Sequence, residues 1–399
     1  MARPVLGRYW GFPKEFVVGL LVVALVATVV TDLATPPPPN RSSAPLVGDL
    51  TGPRLTPRRP LATTTTTGAP TPSTTAVPRP PVVPVAAAPP PPPPPAPAPR
   101  VAHAFALGVY AGAANVSGVA GFGAATGTRP AYASDFLPGN AGWTGMTDPG
   151  ALSWMLGKWR GSGYTLVLGV PMIPTDGNGN PQGTLAGGAA GQYNGAFVTL
   201  ANTLVSSGEA NAALRLGWEF NGTWFPWTVT NTTDAANYAA YFRNIVDAMR
   251  SVPGQAFRFV WNPNSGDAKW SYSPGAAYPG SAYVDDIGTD VYDACWCSPF
   301  TPQTAWAAQL TSAWGLDWLA GFAAAQGRPI VFPEWGTDIR TDGHGLGDDA
   351  YFVGQFAAWA SSHDVAWASY FNYDAPDGVH DLLNGRFPSA LAAFRGAFG

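Results

Sequence analysis

From residue 104 onward, short apolar runs alternate with longer amphipathic stretches. Runs over 105–111, 130–135, 164–173, 213–220, 257–262, 284–291, 329–333 and 365–371 predict strands. TLVLGV and RPIVF within them are nearly continuous in apolar residues, as expected of parallel strands buried on both faces. Helices are predicted between most of them, over 191–207, 234–251, 302–326 and 347–361. Eight strand-then-helix units in roughly 300 residues are the arithmetic of an α/β, (β/α)8 TIM barrel. The run at 130–135 and the Gly-, Pro- and Ser-rich stretch 263–283 fit this pattern least well. A doubly wound open sheet is the competing architecture, but no G-x-G-x-x-G opens a helix after a strand.

The first hundred residues follow other rules. Arg3, Arg8 and Lys14 precede the apolar run 16–30, which extended to Ala34 approaches the ~20 residues that span a bilayer. The positive flank predicts a membrane anchor with a cytoplasmic N-terminus. A cleavable signal segment shares that flank and core and stands as the alternative, although no clean A-x-A precedes the polar stretch. Residues 35–103 contain PPPP at 36–39, TTTTT at 63–67 and a proline run at 89–95, a composition that cannot form a core. They predict a disordered Pro/Thr-rich linker, reaching at most roughly 200 Å at ~3.1 Å per residue. The expected partition is therefore 1–34 anchor or signal, 35–103 linker and 104–399 barrel. It describes an exported chain held at the cell membrane by its N-terminal segment, with secretion as the alternative and the barrel outside the cell.

Only 12% of residues are charged and the net charge is −4, with no basic cluster in the globular part. Nucleic acid is thus an unexpected partner. The 16 Trp, 14 Tyr and 20 Phe mostly serve a core, but a minority in loops is suited to stacking on the apolar C–H faces of sugar rings. Cys295 and Cys297 are the two cysteines. Export favours their pairing, whereas the very small ring of a C-x-C bridge opposes it, so the sequence leaves the bridge open. His103, His344, His363 and His380 are scattered without metal-ligand spacing, and neither a metal nor a cofactor is expected. Nothing in the sequence calls for an obligate partner subunit.

In such barrels the chemistry sits at the C-terminal ends of the strands. The fourth run leads into ALRLGWEFNGTWFPW and the seventh into PIVFPEWGTD, which puts Glu219 and Glu334 at matching ends. One glutamate there would be explained as well by solvation or by an ion pair with Arg215. Two, each flanked by Trp and Gly, point to function, because a carboxylate amid apolar surface is costly without a purpose. Two carboxylates facing one cleft are the minimal apparatus of glycoside hydrolysis. Aromatic neighbours raise a carboxyl pKa, so Glu219, near Trp218, Phe220, Trp224 and Trp227, is the expected acid. Glu334 is the expected nucleophile, with Tyr292 from DIGTDVYD as the donor that steadies it. Asn262 and Asn264 in WNPN, Asp290, Trp335 and Phe371 complete the expected sugar contacts. Among Asp285, Asp286 and Asp290, one is expected to organise loops. Which of Tyr370, Phe371, Asn372 and Tyr373 faces inward depends on strand register.

The pair RLGWEFNGTWFPW and VFPEWGTD, with FRFVWNPN, YVDDIGTDVYD and GVYAG in matching order, resembles glycoside hydrolase family 26, the β-mannanases and related endo-β-glycanases. The likeness runs over about 105–390. It implies a retaining double displacement, with Glu219 as acid/base, Glu334 as nucleophile, Tyr292 orienting that nucleophile, and Trp224 and Trp227 forming an aromatic wall. Mannanases of the family usually carry His before the acid/base, and here Trp218 stands there. Mannan, mixed-linkage β-glucan, β-xylan and a cell-envelope glycan all remain open as substrates. A silent carbohydrate-binding or wall-attachment module, and a transglycosidase acting on the producer's envelope, are the competing readings.

Overall fold

The protein is described by a computed structural model covering residues 105–265 and 272–399. The predicted anchor or signal segment (1–34) and linker (35–103) lie outside the described residues. Among the described residues no helix is long and apolar enough to cross a membrane.

Eight parallel strands close into a barrel in chain order. They are β1 (Ala106–Tyr110), β2 (Tyr132–Phe136), β3 (Thr165–Val170), β4 (Ala213–Leu216), β5 (Arg258–Trp261), β6 (Asp286–Tyr292), β7 (Ile330–Gly336) and β8 (Val365–Phe371). β8 pairs back on β1, with Phe371 opposite Tyr110, so no strand edge is left open. Parallel neighbours need crossovers, and helices supply them. Asn194–Ser206, Thr232–Arg250 and Ala350–Ser362 fall within a few residues of their expected places. The stretch expected as one helix over 302–326 is two, Pro302–Thr311 and Leu316–Gln326. The chain turns between them at Trp314, which takes φ 60°, and Gly315 then caps the second helix. Outside the barrel, Ile339–Arg340 pairs antiparallel with Gly378–Val379.

The pleat sorts the core into two layers. Val167, Ala213, Val260, Val331 and Trp367 fill the barrel interior, while a much larger cluster packs the outer strand faces against the helices. Along β4 this alternation puts Arg215, two residues beyond Ala213, into the interior as well.

On β7 the alternation is interrupted. Gly288 pairs with Val331 but Asp290 pairs with Glu334, so β7 spends one residue more than β6 over the same span. The same irregularity falls between Phe332 and Trp335 against β8. Without it, the inward phase of Val331 would continue to Trp335 and face Glu334 outward. The bulge reverses the phase, the re-aiming that bulges near active sites commonly perform. Glu334 therefore faces the barrel mouth, and Trp335, expected as a sugar contact, packs into the helix layer, stacked on Phe356 at 3.9 Å. Trp335→Ala should lower unfolding free energy by about 3–5 kcal/mol, the usual range for a fully buried Trp. A urea midpoint equal to that of wild type would contradict this placement.

Candidate active site

The mouth of the barrel opens into a cleft of about 860 Å³ lined by Glu219, Glu334, Asp290, Tyr292, Trp218 and Trp224, among others. That lies toward the upper end of the range of about 300–1,000 Å³ typical of small-molecule sites.

At its floor lies Arg215, buried and forked. Its Nη1 donates to Glu334 Oε1, its Nη2 to Asp290 Oδ2, and its Nε to Asn262 Oδ1 at 2.9 Å. The guanidinium also lies over the Trp218 ring, 5.2 Å from its centroid. Burial alone would lower its pKa, but Asp290, Glu334 and Glu219 outweigh that and raise it. Tyr292 donates to the other oxygen of Glu334 at 2.6 Å, so the Glu334 carboxylate is held from both sides.

Glu219 sits three residues past the end of β4. Gly217 and Glu219 both take φ 50°, the left-handed region, and glutamate pays a steric cost there that glycine does not. Two hydrogen bonds hold the turn, Glu219 N to Asn262 O at 2.7 Å and Gly222 N to Glu219 O at 2.9 Å. A Cβ on Gly222 would overlap the Trp224 ring, so its absence lets that ring fold back. Trp224 Nε1 then donates to Glu219 Oε2 at 2.9 Å. Burial, and next the Glu334 charge, push the Glu219 carboxyl up to about 7, against the lowering pull of Arg215 and Trp224. Asp290 is raised as well, first by burial, with Arg215 opposing.

The structure thus brings Glu219, Glu334, Tyr292, Asp290, Trp218, Trp224 and Phe371 to one cleft. Three expected sugar contacts are not part of its wall. Trp335 points into the helix layer, for the reason given above. Asn262 is fully buried and spends its side chain on Arg215, Asp290 and Pro263 O. Trp227 lies behind the wall, stacked on Phe225 and donating to Trp218 O at 2.8 Å. At the end of β8, Phe371 and Tyr373 face the cleft, whereas Tyr370 turns outward, its hydroxyl 2.7 Å from that of Thr337. Asp286 is spent on Arg258, and Asp285 accepts from Phe259 N at 2.8 Å.

Sequence reasoning treated Arg215 only as a possible ion-pair partner and overlooked Tyr110, Phe136 and His380, all of which line the cleft. The inward phase of ALRL was the available signal for Arg215, since an interior arginine needs anions around it.

A closed barrel with carboxyl groups beyond β4 and on β7, facing one aromatic-walled cleft, has the layout of a glycoside hydrolase. Residues 199–337 match glycosyl hydrolase family 26, and the chain carries a glycoside hydrolase family 26 domain. Among curated proteins, Endoglucanase H of Acetivibrio thermocellus is 27% identical over 201 residues, 45% of this chain and 19% of that protein. Mannan endo-1,4-beta-mannosidase of Bifidobacterium adolescentis is 27% identical over 172 residues, 38% of this chain and 16% of that protein. The chain therefore spans less than a fifth of the length of these relatives. A modular endo-beta-1,4-mannanase from Cellulomonas fimi shares the fold at TM-score 0.52 and 18% identity, over 73% of this chain and 70% of that one.

The raised Glu219 pKa has a consequence for stability. The folded protein keeps this proton up to about 7, whereas an unfolded glutamate releases it near its ordinary 4.5. Protonation thus favours the folded state, and that contribution is lost as pH rises from about 4.5 through 7. Glu219→Gln should gain urea resistance over wild type at pH 8 relative to pH 5. Other raised carboxyls, such as Asp293 and Asp338, are common to both proteins and cancel in the difference. Parallel pH–stability curves would refute the assignment.

Proposed function

We propose that the protein is a retaining β-glycanase that cleaves a β-linked polysaccharide of mannan type by double displacement. The observation that carries this reading is the contrast between two carboxyls in one cleft. Glu219 is pushed up to about 7 and can hold a proton at neutral pH, while Glu334 accepts from both Arg215 and Tyr292. In the first step Glu219 donates its proton to the departing glycosidic oxygen as a Glu334 oxygen attacks the anomeric carbon. The C–O bond to the leaving chain breaks, and a glycosyl ester forms on Glu334. In the second step ionised Glu219 takes a proton from water, whose oxygen attacks the same carbon and frees Glu334. Two inversions leave the product with the anomeric configuration of the substrate.

Mannan type is supported by the mannosidase of Bifidobacterium adolescentis, and β-glucan is supported as a second substrate class by Endoglucanase H, equally identical at 27% and over the longer stretch. Trp218 stands where the mannanases of the family usually carry His. It packs against Phe136 and Phe225 at 5.6 and 4.9 Å, so the floor beside the acid is apolar at that point. A silent binding module would have no use for a carboxyl held protonated beside a second one steadied by two donors.

The test is hydrolysis of β-mannan, mixed-linkage β-glucan and β-xylan, with the first-formed anomer followed by proton NMR. The expected product is the β-anomer, with mutarotation to the α-anomer afterwards. Glu219→Gln and Glu334→Gln should each lower turnover by at least about 10³-fold, since each removes a reacting group. An α-anomer formed first, or a Gln variant of near wild-type activity, overturns the mechanism.

A further inference from the structure

We propose that Trp296 is the stacking platform of a distal sugar subsite, reached by chains longer than the unit bound at the catalytic pair, and that this subsite selects neutral over acidic glycans. The inference rests on the glycanase reading above.

Trp296 follows β6 and lines the same cleft as Glu219 and Glu334, yet it remains 64% exposed. Single exposed aromatics are common and need no explanation. This one is held by the disulfide that flanks it and by contacts with His344 and Arg340. Its two neighbours, Cys295 and Cys297, are joined by a disulfide, so the backbone carrying it is closed into a small ring. Cys295 is buried and tied to the loop after β7, its N–H donating to His344 O at 2.9 Å. Its carbonyl lies 3.2 Å from His344 Nδ1. The indole stacks on the His344 ring at 4.9 Å and 27°, and the Arg340 guanidinium lies 5.4 Å from its centroid. A rigid indole loses little conformational entropy when a ligand stacks on it, which is the condition for a useful contact. The apolar C–H face of a pyranose is the partner such a surface fits.

The charge around the platform narrows the ligand. Arg340 is the cation beneath Trp296, and three carboxyls surround it, Asp342 at 2.8 Å, Asp338 at 3.6 Å and Asp377 at 3.7 Å. One cation among three acidic groups leaves the patch negative even with Asp338 protonated. A sugar bearing a carboxylate meets repulsion there, whereas a neutral hexose meets hydrogen-bond acceptors.

The test uses the full-length protein and β-1,4-linked oligosaccharides, from disaccharide to hexasaccharide, of whichever sugar wild type cleaves. Trp296→Ala should lower kcat/KM on the hexasaccharide about tenfold, chiefly through KM, with a much smaller effect on the shortest cleaved substrate. Trp296→Phe should restore most of the loss. Cys295→Ser/Cys297→Ser should reproduce part of it by freeing the loop, and retention of the full wild-type length preference would remove the bridge from the account. Carboxymethylated chains should be cut more slowly than neutral ones, with the gap narrowing in Asp342→Asn/Asp377→Asn. An equal loss at every chain length would make Trp296 a structural residue, and no loss at any length would remove the subsite. A protein that cleaves none of the three polymers loses the glycanase reading and this subsite with it.

Discussion

A buried guanidinium sets the terms for everything at the barrel mouth. Arg215 reaches from β4 to Asp290 on β6 and Glu334 on β7, and it accounts for the Asn262 side chain as well. Taking such a charge out of water costs several kcal/mol, and only well-formed ionic hydrogen bonds on several sides offset that. Yet this one cation faces three carboxyls, counting Glu219. The imbalance, together with burial, disfavours ionising all of them at once, and the raised pKa values of Glu219 and Asp290 express that. The proton a glycosidase needs on its acid is thus held first by burial and then by the Glu334 charge, which together outweigh the pull of Arg215, while Trp224 keeps the Glu219 side chain in place.

Two departures from regular geometry deliver the carboxyls to this arginine. Glu219 is held at a positive φ, and β7 carries one residue too many between Val331 and Glu334. A strictly regular barrel would give neither placement. Each irregularity is secured by its surroundings, Glu219 by the backbone bond to Asn262 and β7 by Trp335 locked among helix aromatics. Local rules broken where the chemistry happens, and compensated nearby, are the common pattern of functional sites.

The architecture was largely legible in the sequence because both-face burial writes apolar runs such as TLVLGV, and all eight barrel strands, including the weakly patterned one at 130–135, lie within a few residues of their expected places. The failures were local. β4 ends at Leu216 rather than Phe220 because the left-handed turn at Gly217 and Glu219 leaves no mark in hydropathy. Trp335 was placed in the cleft because alternation cannot register a bulge, although Pro333, an amide-less residue inside a strand, was a hint. Trp227 and Asn262 are the right residue types one layer too deep, a distinction that depends on tertiary packing alone. Arg215 was visible only as a partner, since its role emerges from residues 47, 75 and 119 positions away. The Cys295–Cys297 bridge, left open by spacing, is formed, and it frames the most exposed aromatic of the cleft.

The division of labour between the two glutamates is tested most directly by trapping the intermediate. A 2-deoxy-2-fluoro glycoside with a good leaving group slows breakdown of a glycosyl ester, so the labelled residue can be located by peptide mass spectrometry. The account predicts one sugar per protein, attached to the peptide containing Glu334 and absent from Glu334→Gln. Attachment to Glu219 or to any other residue would contradict it.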